Sequence, residues 1–471
     1  MRRCRVKYVL VTMVLLAASA VAPAVAAVPV RFSPGAPGLG DPYFPLEGNG
    51  GYQPSHYDLD LSYDPALHHL SGVATMRATA TQNLSRFDLD LQGLTVRGVQ
   101  VNDRPASFTR NGSELVITPQ SGLPAARPFV VAVTYGGSPQ PITGSPILGG
   151  AEYGWIYTDD GVVVATEPDA ASTWFPSDDH PSRKATFTFR VTVPADRSVV
   201  ANGDLIGYRT SGDHATYVWN ETSPMATYLA TIDIGKWQIT QGRTPGGIRN
   251  IVAVDPTLDI SPAAALAASA EVTDYFAKVF GPYPFTSTGA ILDNAPDLGI
   301  SLETQTRPVY YTGIKAEPGD MAHELSHQWF GDSVSVADWS QTWLNEGFAM
   351  FATYLWIEHA GGETTWQSAA DVYDIFSGDP GFWARPVPDP GRDAMFGFPI
   401  YNRGLMTLAL LRHKMGDTRF FQLLRTWLRT HRYGNATTAQ FTALASQIAG
   451  QDLTPFFQTW LWQPTQPPWP A

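Results

Sequence analysis

Cysteine is all but missing: Cys4 is the only one in 471 residues. One thiol excludes an internal disulfide, so packing must hold the fold. It also means that any metal site has to be built from histidine and carboxylate, because thiolate ligands are lacking. Charge is scarce as well. Charged residues make up 16% of the chain against 44% hydrophobic ones, a balance that describes an ordered globular protein and excludes a disordered one. Basic residues are the scarcer kind, 31 Lys and Arg against 43 Asp and Glu, for a net charge of −12. After the first few residues there is no basic run, which excludes nucleic acid as a partner and leaves the acidity as a solubility feature. No internal repeat is present.

What is there begins with the features of an export signal. Arg2, Arg3, Arg5 and Lys7 precede an apolar run from Tyr8 to about Val25, which closes on Ala24-Val25-Ala26. Residues 1–26 are therefore expected to be a signal peptide cut after Ala26, with the mature protein secreted and not stably associated with a membrane. Pro23 and the small-residue ending weigh against a retained anchor, and Arg2-Arg3 leaves both the general and the twin-arginine routes open. Loss of these residues removes four basic groups and takes the net charge to −16.

The remaining length exceeds one typical domain. Residues 27–55, rich in Pro and Gly, read as an extended surface arm. Residues 56–240 read as an all-β domain of short alternating strands, among them Tyr57–Leu61, Val73–Thr81, Phe87–Leu91, Phe129–Tyr135 and Ala185–Val193. Residues 241–471 read as a second domain that opens on the Gly/Pro/Thr-rich stretch Gln241–Gly247, with helical signals dominating after about residue 255. Ser261-Pro262 caps an Ala-rich helix that stops at Gly281-Pro282, and amphipathic stretches follow over about 340–360, 364–377, 402–415, 417–431 and 437–449. The Pro-rich tail from Gln463 reads as a plain chain end.

The segment Met321–Phe330 contains His323-Glu324-Leu325-Ser326-His327, an H-E-x-x-H on a predicted helix with Asp320 as its expected N-cap. Four residues span slightly more than one turn, so both imidazoles project from one face and can reach one zinc ion, with Glu324 beside it. An eighteen-residue gap leads from His327 to Glu346 in Trp343-Leu344-Asn345-Glu346-Gly347-Phe348-Ala349, on a helix that Ser340 can cap. Two histidines and one glutamate with an open fourth position make a catalytic rather than a structural zinc arrangement. The other histidines lack ligand spacing and read as surface or packing residues, and the tryptophans Trp329, Trp339, Trp343 and Trp366 read as core.

With that gap and N-E-G-F-A, the chain resembles the aminopeptidase N and leukotriene hydrolase family of zinc peptidases. Phe175–Phe187 and Pro224–Thr231 look like the β-domain signatures of that family, so the resemblance covers roughly residues 55–465. It implies a multidomain fold: an N-terminal all-β, sandwich-like domain followed by a thermolysin-like α+β, mainly helical, zinc peptidase domain. Only 125 residues follow Glu346, so the large C-terminal helical domain of many relatives is expected to be missing. Three more positions carry over. Tyr401, in Tyr401-Asn402-Arg403-Gly404, matches the tyrosine that donates to the oxyanion. Glu303, in Gly299–Thr304, and Glu167 match the carboxylates that bind the substrate amine, although Leu302 and Thr304 stand where the family has Met and Asn. The implied reaction is removal of N-terminal residues from peptides with a free N-terminus, with one Zn2+ per chain and Glu324 as general base. A thermolysin-like endopeptidase would share the zinc ligands without the amine clamp, and a non-catalytic binding protein would keep only the scaffold.

Overall fold

The computed structural model describes residues 31–470, with Met1, Lys7, Val9 and Leu10 ahead of them. Apart from those four positions, the expected signal of residues 1–26 lies outside the described residues. In the first half, alternation of side chains builds the sheets. Along Tyr52–Asp64, Tyr57, Leu59, Leu61 and Tyr63 are buried while the residues between them face outward, the period-2 pattern of a half-buried strand. This strand runs parallel to Ala185–Pro194 and antiparallel to His69–Ala80. The three form the middle of an eight-stranded sheet. Stacked rings of Tyr57, Phe187 and Phe189 cover its inner face, with centroids 5.0 and 5.5 Å apart. A smaller sheet joins Gly154–Tyr157, Val162–Ala165, Ile232–Gly235 and Ser198–Ala201. Val162–Ala165 is buried throughout and delivers Thr166 and Glu167 at its end.

The second half opens with a four-stranded sheet, Gln238–Arg243, Arg249–Val254, Ser287–Leu292 and Val309–Tyr310. The expected division at 240/241 falls inside the first of these strands, and Thr244–Ile248 is the turn of its hairpin. Helices follow: α1 (Pro262–Phe280), α2 (Pro318–His327), α3 (Trp343–His359), α4 (Thr365–Ile375), α5 (Phe398–Met415), α6 (Asp417–His431) and α7 (Thr438–Ala449). Ser261 caps α1 as expected, and Thr364 with Gln367 and Thr437 with Gln440 form capping boxes that start α4 and α7.

Two expected caps are corrected. Pro318, with its fixed φ, starts α2 after Glu317, so Asp320 lies inside the first turn, where its charge complements the helix N-terminus. Ser340 belongs to a short 3-10 turn, Trp339–Gln341, capped by the Asp338 side chain, and α3 begins only after Thr342. Helix α5 starts four residues earlier than its expected 402, with Pro399 in its first turn.

From Phe32 onward the chain packs as one unit with a continuous apolar core. Trp339 and Trp343 are fully buried in it. His68 and His359 stack on Tyr157 and Tyr275, and His413 and His431 pack at a tilt against Trp366 and Trp427, as packing residues do. The tail is more than a chain end: Trp469 packs on Trp366, Tyr373 and Trp460, and Tyr373 donates to the Pro467 carbonyl. No helix among the described residues is long and apolar enough to cross a membrane.

Candidate metal centre and active site

Helices α2 and α3 pack against each other and bring His323, His327 and Glu346 to one point, with one ligand atom from each within 4.8 Å of the others. Glu346 Oε2 lies 3.3 Å from His323 Nε2 and 3.5 Å from His327 Nε2. The far nitrogens are both engaged. His327 Nδ1 faces the Phe330 carbonyl at 2.9 Å, and His323 Nδ1 faces Thr353 Oγ1 at 3.3 Å. Thr353 spends its own proton on the Ala349 carbonyl, so it accepts from His323. Each imidazole is thereby fixed as the Nδ1–H tautomer with the Nε2 lone pair aimed at Glu346. Two imidazole nitrogens and one carboxylate oxygen, so oriented, fit a zinc ion.

Tyr401 reaches this centre because of a close helix crossing. Helices α3 and α5 meet at Gly347 and Gly404, where a Cβ added to Gly347 would stand 2.9 Å from Gly404 Cα. Side chains there would force the helices apart. The crossing sets the Tyr401 ring 6.0 Å from the His323 ring, centroid to centroid, one turn before Gly404 on α5.

Glu303 follows an isolated β-bridge at Leu302 and is fixed on both sides. Leu302 exchanges two backbone hydrogen bonds with Val309, each 2.8 Å. Gln328, the residue after α2, donates to the Glu303 carbonyl at 3.2 Å and accepts from Thr306 N at 2.7 Å. With Leu302 and Thr304 in place, the segment on either side of Glu303 is thus held by the Leu302–Val309 pair and by Gln328. Sequence alone did not point to Gln328 and Thr353: Gln328 adjoins the motif without ligand spacing, and Thr353, on the Glu346 face of α3, meets His323 only once α2 and α3 pack together.

Glu167 comes from the β-rich half and Glu303 from the helical half, yet their carboxylates and that of Glu346 lie within 4.8 Å of one another. Glu167 and Glu303 are 4% and 2% exposed, and one oxygen of each has no hydrogen-bond partner. Burial raises both carboxyls, Glu303 to about 7, and their mutual repulsion raises Glu167 further. Burial also raises Glu324, though the two histidines oppose it. Against its own burial, His327 and His323, when protonated in the metal-free centre, hold Glu346 down at about 2. All seven residues expected at the site line one cavity of about 250 Å³.

Residues 53–229 match the Peptidase M1 N-terminal domain and residues 319–460 the Peptidase family M1 domain. Glutamyl aminopeptidase of Homo sapiens is 28% identical over 342 residues, 65% of this chain and 35% of that protein. Aminopeptidase M1 of Arabidopsis thaliana is 25% identical over 88% of this chain and 50% of its own length. The chain thus spans about half or less of the length of the curated relatives it matches. Among solved structures, an M1 zinc metallopeptidase from Deinococcus radiodurans superposes with a TM-score of 0.83 at 29% identity, covering 92% of this chain and 99% of that one. A substituted form of it, bound to a Tyr-Ser-Ala substrate, gives 30% identity over the same shares.

Proposed function

The chain belongs to peptidase family M1, and from that premise we propose that it is a zinc-dependent aminopeptidase that hydrolyses the N-terminal residue from peptides. One observation carries the exopeptidase reading. Two buried carboxylates, Glu167 and Glu303, converge from opposite halves on the metal centre, each with an oxygen lacking a hydrogen-bond partner among the described residues. A buried, unpaired acidic group is costly unless a cation joins it, and a substrate α-ammonium supplies one. Its anchoring fixes which peptide bond meets Glu324, so cleavage falls after the first residue.

His323, His327 and Glu346 would hold the zinc. When bound, it polarises the scissile carbonyl and acidifies the attacking water. Glu324 takes the proton of that water and delivers it to the leaving amine. Tyr401 donates its hydroxyl hydrogen bond to the developing oxyanion; burial and the surrounding carboxylates keep that phenol protonated.

The test uses the zinc-loaded chain, one peptide and its N-acetyl form. Residues should be lost one at a time from the free peptide, with the acetylated one left intact. Internal fragments released equally fast from both would reassign the chain to the endopeptidases. The export reading rests on residues 1–26. Protein recovered from the medium of an expressing culture should begin at Ala27, and retention of Met1 would refute it.

A further inference from the structure

The arm contributes Asp41, Tyr43 and Phe44 at a junction of segments that lead to the site. Asp41 Oδ1 accepts from Tyr43 N and Phe44 N at 2.8 and 3.0 Å, and Oδ2 accepts from Trp339 N, just ahead of α3, at 2.9 Å. Tyr43 is committed to a different segment. Its hydroxyl donates to Asp389 Oδ1 at 2.7 Å and accepts from Gly391 N at 2.9 Å. The Arg392 guanidinium lies 5.0 Å from the Phe44 ring centre. Gly391 has φ +87°, a left-handed conformation, and the turn Arg392–Ala394 then packs against the turn Pro146–Leu148 of the β-rich half. Leu148 and Phe396, one from each side, line the site cavity together with Ile300. Among the described residues, apart from the expected metal ligands, the general base Glu324 and the amine clamp, no charged residue lines it.

Building on the aminopeptidase reading, we propose that Leu148, Ile300 and Phe396 form the pocket for the N-terminal side chain of the substrate and select large uncharged apolar residues. We further propose that Tyr43 is a positioning residue that sets the width of this pocket through Asp389 and Gly391. Leu148, Ile300 and Phe396 share the cavity with the amine clamp, so a side chain on the clamped residue would reach them. A charged side chain would lose its hydration there without meeting an opposite charge. A small one would leave the wall unfilled.

The experiment measures kcat/KM of the zinc-loaded chain on leucine, alanine, arginine and glutamate amides bearing one fluorogenic leaving group. Leucine should lead each of the others by about 10-fold or more, the discrimination a hydrophobic pocket achieves. Phe396→Ala should cut the leucine-to-alanine ratio by about 10-fold. Tyr43→Phe keeps the ring and loses both hydroxyl contacts. It should lower the same ratio several-fold through KM for leucine, with zinc content unchanged. Because Tyr43 acts through the wall, Tyr43→Phe added to Phe396→Ala should change the ratio little further. Asp389→Ala, which removes the partner rather than the hydroxyl, guards against a misfolded Tyr43 variant and should reproduce its effect. A preference for alanine, arginine or glutamate overturns the pocket. An unchanged ratio in both Tyr43→Phe and Asp389→Ala, or effects that multiply in the double variant, overturns the positioning role. If no amide is cleaved by the zinc-loaded chain, the aminopeptidase reading itself has failed.

Discussion

Glu324 and the ligands His323, His327 and Glu346 crowd one cavity, and removal of either kind should have separable consequences. With His327→Ala, two ligands remain and the centre should lose both zinc and activity. Glu324→Gln keeps the side-chain shape and takes away the proton acceptor. It should retain one zinc per chain while turnover falls by about 10² to 10⁴-fold. Zinc analysis beside one turnover assay tests both, and a Glu324→Gln enzyme of near-normal rate would remove that residue from the chemistry. Thr353 acts one step further out. Its hydroxyl accepts from His323 Nδ1 at 3.3 Å, so Thr353→Val leaves the ring without its orienting partner. Zinc affinity should drop by about 10 to 100-fold, read as the chelator concentration that strips half the metal. The ligands and the base could be identified from the sequence because helix periodicity puts His323 and His327 on one face with Glu324 beside them, and the eighteen-residue gap points to Glu346. Thr353 could not, since its partner lies thirty residues away on another helix.

Helices α1, α4 and α7 show where local sequence is enough, and α2, α3 and α5 where it is not. Capping boxes at Thr364 and Thr437 and the Ser261-Pro262 start are written in adjacent residues, and those helices begin where their sequences say. The Asp320 and Ser340 caps failed for separate reasons: Pro318, at the first helical position, starts α2 after Glu317, and Asp338 caps the 3-10 turn that holds Ser340, so that α3 begins only after Thr342. What no local signal could give is the crossing of α3 and α5 at Gly347 and Gly404, although both glycines lie inside the segments that carried the family resemblance. That crossing makes a prediction. Gly404→Ala adds a methyl against the backbone of Gly347, and relief requires α5 to move away from α3, carrying Tyr401 with it. Overpacking of this kind costs about 1 to 3 kcal/mol, so the melting temperature should fall. Turnover should drop in samples that still bind one zinc, because the ligands lie on α2 and α3. A Gly404→Ala enzyme with normal turnover would mean that Tyr401 does not depend on the crossing.

At the scale of the whole molecule, the acidity noted in the composition turns inward. Burial raises Glu114 to about 8, Asp178 and Asp233 to about 7, Asp179 to about 6 and Asp293 to about 8. In the unfolded chain the same groups titrate near their ordinary values of about 3.9 to 4.3. The native state therefore holds more protons than the unfolded state between about pH 4 and pH 8, and stability must decline as pH rises through that window. Asp41 and Glu358 run the other way. Their hydrogen bonds hold them below the usual range against the opposing effect of burial, so their contribution is lost only at more acidic pH. The sum favours mild acid, yet metal release at low pH would blur a simple melting curve. A difference measurement avoids this. Asp293 is 2% exposed, faces Asp233 and Asp255, and has one oxygen without a partner. Asp293→Asn keeps its shape and removes its titration, while the metal contribution is common to both proteins and cancels. The variant should melt higher than the parent by a margin that widens as pH rises from 5 to 8 and then levels off. A margin that stays constant across that range, or narrows, would show that Asp293 is ionised in the native protein at neutral pH and that burial has been offset by a cation at this site.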